Sequence, residues 1–187
     1  KGELILASDW QVDPAFREAL ENGCQAAHGY LHRLGDPRRF QVHPLLGDLG
    51  AMPLEGPSIG LAVAVAIIAR AQGLQVNPAM AVTGAIDGNG AVYRVGEIDR
   101  KIEAVCEHNR QAPHDLIEGV IMPEENARGG RGTPSGVGSQ DWGNLIHPTA
   151  SLDHLIRKSG LLIDPWEPYL EELGRLLRKL GMADPPP

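Results

Sequence analysis

Ser58 and Lys101 are the residues whose types and surroundings point to chemistry. Ser58 is the only polar side chain between Pro57 and Arg70. It follows Glu55-Gly56-Pro57 and opens the run SIGLAVAVAIIA, which reads as a buried helix over 58–69. Backbone N–H groups at a helix N-terminus are unpaired and attract negative charge. An oxyanion formed when such a serine attacks a carbonyl would find donors there. On position alone, a serine at a helix start is more often a simple N-cap.

The lysine is set apart by its rarity and its place on a helix. The chain has four lysines, Lys1, Lys101, Lys158 and Lys179, so Lys101 stands alone between residues 2 and 157. On a helical wheel over 97–109, Ile98, Lys101, Ile102 and Val105 share one face. Asp99, Arg100, Glu103 and Glu107 take the other. An amine held among aliphatic side chains loses part of its preference for the charged form, which arginine cannot do at neutral pH. The plainer alternative is a stem packed on the core edge with its ammonium in water. Serine and a neutral lysine form a nucleophile and its base: the amine takes the hydroxyl proton and later protonates the leaving amine. Thr83, the lone hydroxyl in AMAVTGAI, either holds that amine by a hydrogen bond or simply pairs within a sheet.

These residues need elements to position them. Residues 2–9 and 39–43 read as strands. Asp13-Pro14 starts a helix that Gly35 stops. A Gly- and Pro-rich loop spans 44–57. Strands at 79–86 and 91–95 flank the turn Asp87-Gly88-Asn89-Gly90. A helix at 97–109, a strand at 116–122, a Gly-rich loop at 127–144, a short strand at 145–147 and a helix at 151–158 follow. Residues 1–160 are expected to form one domain, with an amphipathic helix at 166–180 and a Pro-rich end in a tail at 161–187. Strands and helices are mixed, so the class is α+β or α/β.

Composition narrows the functions. A chain of 187 residues with 42% hydrophobic and 22% charged side chains can bury a real core. A formal net charge of -7 argues against nucleic-acid and anionic-membrane binding. No apolar run is long enough to span a membrane. Cys24 and Cys106 are too few for a disulfide scaffold or a cysteine zinc site and fit a reducing, cytoplasmic setting, although two free thiols are also compatible with a secreted chain. The chain begins at Lys1 with neither an initiator Met nor a signal-peptide pattern, so it is expected to be part of something longer. His28 and His32 share a helix face without a third ligand, and no metal is expected. GxxxxGK[ST] is absent, so no nucleotide site is expected.

Several segments together resemble the proteolytic domain of Lon-type ATP-dependent proteases. EGPSIGLAVAVAIIA is similar to that family's catalytic-serine segment, roughly (D/E)GPSAG before an apolar helix. AMAVTGAIDGNGAVYRVGEIDRKIEAV resembles the segment carrying its lysine, and the separation of 43 residues between Ser58 and Lys101 keeps the register. VIMPEENA, LIHPTASLDHLIRK and KGELILASD resemble further segments, so the likeness covers about 1–158. It implies the Lon proteolytic-domain fold, α+β with mixed sheets and packed helices. It further implies Ser58 as nucleophile, Lys101 as base, Thr83 beside the lysine, Glu55 at the acidic position, and a backbone oxyanion hole around Pro57 and Ser58. Polypeptide substrates, a hexameric homo-oligomer, an ATPase module lying elsewhere and no cofactor within this chain are implied too.

Departures from the family pattern fall around the site. Ile59 stands where Ala is usual, Glu97 where the family has the second Gly of a turn, and 44–54 and 127–144 differ in length or composition. These bear on substrate access more than on chemistry. Two other functions compete. A catalytically silent scaffold of the same fold would lack the pair, which is present. An esterase of the α/β-hydrolase type calls for GxSxG, which EGPSIG does not supply.

Overall fold

Local chemistry sets the ends of the first long helix. Asp13 sits in extended geometry and its Oδ1 accepts the Phe16 N–H at 2.9 Å, with Pro14 opening the first turn. The helix, α1 (Pro14–Arg33), closes through Leu34 and a left-handed Gly35 at φ 81°, as the sequence leads one to expect. The computed structural model describes residues 3–4, 13–36, 41–42, 55–128, 145–158 and 160–180. Of the strands expected at 2–9 and 39–43, the described parts are β1 (Glu3–Leu4) and β2 (Gln41–Val42), paired in parallel. The expected loops lie outside the described residues over 44–54 and 129–144, as does the Pro-rich end, 181–187.

The apolar run after Ser58 forms the second helix, α2 (Gly60–Gln72), capped by a left-handed Gly73. One expectation is corrected here. Ser58 does not begin this helix. It lies in a 3-10 turn, Pro57–Ile59, that precedes it. Leu61, Ala64, Val65 and Ile68 are essentially inaccessible, and burying each of the larger side chains contributes about 1.5–3 kcal/mol. Glycine lets α1 and α2 meet at van der Waals distance. A β-carbon on Gly23 would lie 2.6 Å from the carbonyl oxygen of Gly60.

Three parallel strands lie beyond these helices, in the order β4 (Met80–Val82), β7 (Gly119–Pro123), β8 (Ile146–Thr149). The central strand is buried along its whole length. Its side chains alternate between two cores: Ile121 packs with the α1 and α2 cluster, and Val120 and Met122 pack with Ile98, Ile102 and Val105 of α3 (Ile98–Gln111). The sheet is therefore covered on both faces, which is why VIM reads as an unbroken apolar run. The stretch 79–86, expected as one strand, breaks at Thr83-Gly84 into β4 and β5 (Ala85–Ile86). The cause is pairing: Thr83 N–H completes the ladder to the Ile121 carbonyl, while both backbone groups of Gly84 turn to the 58–61 segment. The expected hairpin forms as β5 with β6 (Val92–Tyr93), its turn held by Asp87 Oδ1 on the Asn89 and Ala91 N–H groups.

Three small elements were not foreseen: β3 (Gln75–Val76), the single turn α4 (Glu124–Arg128) and β9 (Leu162–Ile163). The short helix expected at 151–158 is α5 (Leu152–Lys158). Beyond it, Leu161 is fully buried in the main core and β9 pairs antiparallel with β3. Residues 161–163 are thus tied to the body of the domain, and the amphipathic segment follows as α6 (Glu167–Lys179). No helix among the described residues is long and apolar enough to cross a membrane.

Candidate active site

The site is built around the peptide that joins Thr83 to Gly84. On one side, Gly84 N–H donates to the Ser58 carbonyl oxygen at 2.9 Å, and Leu61 N–H donates to the Gly84 carbonyl at 3.1 Å. These bonds lock the 3-10 turn bearing Ser58 against the end of β4. On the other side, Lys101 Nζ donates to Thr83 Oγ1 at 3.2 Å. The structure thus brings the serine turn, the threonine and the lysine together, although 43 residues separate Ser58 from Lys101. Ser58, Thr83 and Lys101 are all half-buried, and Glu55 is exposed.

The wheel reading of Lys101 holds. Ile98, Ile102 and Val105 are buried, and the lysine emerges on their face. Burial lowers its pKa from the ordinary lysine value, and the Glu97 carboxylate partly opposes that by favouring the charged form. Glu97 has a second peculiarity. It caps α3 in the left-handed conformation, φ 55° and ψ 33°, the only non-glycine among the described residues with positive φ. A β-carbon in that region costs about 1 kcal/mol. Glu97 nevertheless starts the helix that carries the lysine, and its carbonyl accepts the Lys101 N–H at 3.1 Å.

Two further residues position the site, and sequence reasoning missed both roles. Asp13 caps α1 with Oδ1, and its Oδ2 accepts the Gly56 N–H at 2.8 Å. It thereby ties the start of the first helix to the turn before Ser58. The Phe16 and Gly56 N–H groups hold its carboxyl below the usual aspartate value. Asn126, in PEENA, brackets Val95: Oδ1 accepts the Val95 N–H at 3.0 Å and Nδ2 donates to the Val95 carbonyl at 2.9 Å. That fixes the backbone entering α3. The Asp13-Pro14 cap shows in the sequence, but its second bond spans 43 residues and leaves no local pattern.

Cys24 is buried and its thiol is pushed up to about 11, chiefly by desolvation, so it is no thiolate at neutral pH. His28 and His32 stack with ring centroids 6.5 Å apart. No group of three His, Cys, Asp or Glu side chains suited to a metal occurs among the described residues. Thr83→Val is expected to slow any reaction that uses the Lys101 amine as its base roughly tenfold with little change in KM, because the amine loses the oxygen that orients it. Steady-state kinetics against a thermal melt would check this, and an unchanged rate would remove Thr83 from the site.

The α+β fold and the serine turn braced beside a desolvated lysine belong together in one class of domain. Residues 34–157 match the family described as the Lon protease (S16) C-terminal proteolytic domain, and the chain belongs to that family. It is 26% identical to Lon protease 1 of Syntrophobacter fumaroxidans over 185 residues, 95% of this chain and 21% of that protein. It is 30% identical to the Lon protease of Mycoplasma genitalium over 137 residues, 68% of this chain and 15% of that protein. It is also 30% identical to the Lon protease of Rhizobium meliloti over 122 residues, 60% of this chain and 14% of that protein. The chain therefore spans about a fifth of these relatives' length or less.

Proposed function

We propose that this chain is a serine endopeptidase domain in which Lys101, uncharged, takes the proton of the Ser58 hydroxyl. Ser58 Oγ then bonds to a peptide carbonyl carbon and an oxyanion develops on the carbonyl oxygen. Pro57 has no N–H, so the donor from the Pro57-Ser58 pair is the N–H of Ser58 itself. The C–N bond breaks as the lysine ammonium returns its proton to the leaving amine. Water, activated by the neutral amine, hydrolyses the ester left on Ser58. The chemistry calls for no metal or organic cofactor. Substrates are unfolded or extended polypeptides. A homo-oligomeric ring, hexameric in Lon-type proteases, would enclose the site, and an ATPase module outside this chain would feed it. Glu55 stands at the approach to the nucleophile.

The observation that supports the reading most is the Lys101–Thr83 hydrogen bond beside the backbone that grips the Ser58 turn. Both groups are half-buried, as a neutral amine and an activated hydroxyl require.

The test is a pH profile. The neutral amine is the active form, so kcat/KM on an unfolded casein-like substrate should rise with pH through one ionisation. Its midpoint should lie below the ordinary lysine value, because burial disfavours the charged form. In Glu97→Gln the carboxylate that favours the ammonium is gone, so the midpoint should move to lower pH. A profile flat from about pH 6 to 9, or a midpoint unmoved by Glu97→Gln, would count against a lysine base.

A further inference from the structure

Helix α6 carries an apolar stripe that nothing among the described residues covers. Trp166, Tyr169, Leu170, Leu173, Leu176 and Leu180 recur at three- and four-residue steps along one face and are 44–73% exposed. Within α6, only Gly174 is buried. The helix lies beyond the family match, which ends at 157. Its charges are sorted by position: Glu167, Glu171 and Glu172 fall in the first half, and Arg175, Arg178 and Lys179 in the second.

That sorting selects the occupant. We propose that α6 pairs antiparallel with α6 of a second copy of this chain, with Leu173 at the two-fold axis and Trp166 of one copy beside Leu180 of the other. In this arrangement the acidic half of each helix faces the basic half of its mate, and the two apolar stripes cover one another. Parallel pairing would set glutamate against glutamate and arginine against arginine. An anionic membrane surface would select a helix with a basic polar face, whereas α6 carries three side chains of each sign. The same sorting suits the dipole of each single helix, so the antiparallel pair uses it twice. Thirteen helical residues span about 20 Å, enough for each stripe to cover the other along its whole length.

The contact is independent of the chemistry proposed for Ser58 and Lys101, and its test separates the two. In the full chain with Cys106→Ser, single cysteines are introduced and mildly oxidised. Leu173→Cys should cross-link to a dimer. Trp166→Cys alone and Leu180→Cys alone should not, but a mixture of those two should. Leu116→Cys, at an exposed leucine elsewhere, sets the background of random collision. Added to Leu173→Cys, the triple changes Arg175→Glu/Arg178→Glu/Lys179→Glu and Glu167→Lys/Glu171→Lys/Glu172→Lys should each cut the cross-link at least tenfold. Mixing the two should restore it, and circular dichroism should show the helix retained in each. Ser58→Ala should leave every one of these results unchanged. Cross-linking of Leu173→Cys at the Leu116→Cys level, equal cross-linking by Trp166→Cys alone, or indifference to charge reversal would each overturn the pairing. So would uptake of α6 onto phosphatidylserine vesicles by a chain that remains monomeric in their absence.

Discussion

Ser58→Ala is expected to lower kcat/KM on an unfolded polypeptide by at least about a thousandfold, and Lys101→Met by a similar amount, with the fold intact. A serine hydroxyl is a poor nucleophile until its proton has somewhere to go. The arrangement supplies one candidate acceptor at this site: an amine disfavoured as ammonium by burial and fixed by Thr83. In the proposed mechanism the two groups act on the same proton, so the double variant should be no slower than the worse single one. Both substitutions shorten or neutralise half-buried side chains without touching the backbone bonds at Gly84, so thermal midpoints should stay within a few degrees. A single variant that kept more than about a tenth of the activity would move the chemistry to other residues.

The second large effect concerns a glycine that touches no substrate. Gly23→Ala places a β-carbon 2.6 Å from the Gly60 carbonyl oxygen and 3.1 Å from the Val63 side chain. The first of these is backbone, so α1 and α2 must move apart. Overpacking of this kind costs about 1–3 kcal/mol, or roughly 3–10 °C of melting temperature at this chain length. Gly60 directly follows the Ser58 turn, and so activity should fall along with stability. Gly29→Ala is the matched control: it lies in the same helix, and its new β-carbon would meet only an arginine side-chain nitrogen at 3.6 Å. That change should be neutral or stabilising, since alanine is the better helix former. Calorimetry that ranked the two variants together would refute a close-packed helix crossing under the site.

Much of the molecule was legible because its signals are local. The cap at Asp13, the stop at Gly35, the turn at 87–90 and the wheel around Lys101 each involve residues within one or two turns of one another, and the structure reproduces them. The apolar run after Ser58, which no polar side chain interrupts before Arg70, is buried over most of its length, although Ala66 is exposed and Ala62 and Val63 are half-buried. What escaped were features made by partners distant in the chain. The break at Thr83-Gly84 depends on which backbone groups Ser58 and Leu61 offer. Strands of two residues such as β3 and β9 carry too few side chains to show a period.

The sequence by itself determined the chemical vocabulary of this protein: one isolated lysine on an apolar helical face, one serine at the mouth of an apolar run, and the helices that carry them. Only the tertiary structure decided that the serine turn bonds the Gly84 backbone while the lysine amine bonds the neighbouring Thr83 hydroxyl, that the serine rides a 3-10 turn, and that Asp13 and Asn126 brace the two approaches. The reason is physical. Periodicity and capping arise among neighbours in the chain, whereas a hydrogen bond between Gly56 and Asp13, or between Lys101 and Thr83, forms only after packing has closed the long segments between them.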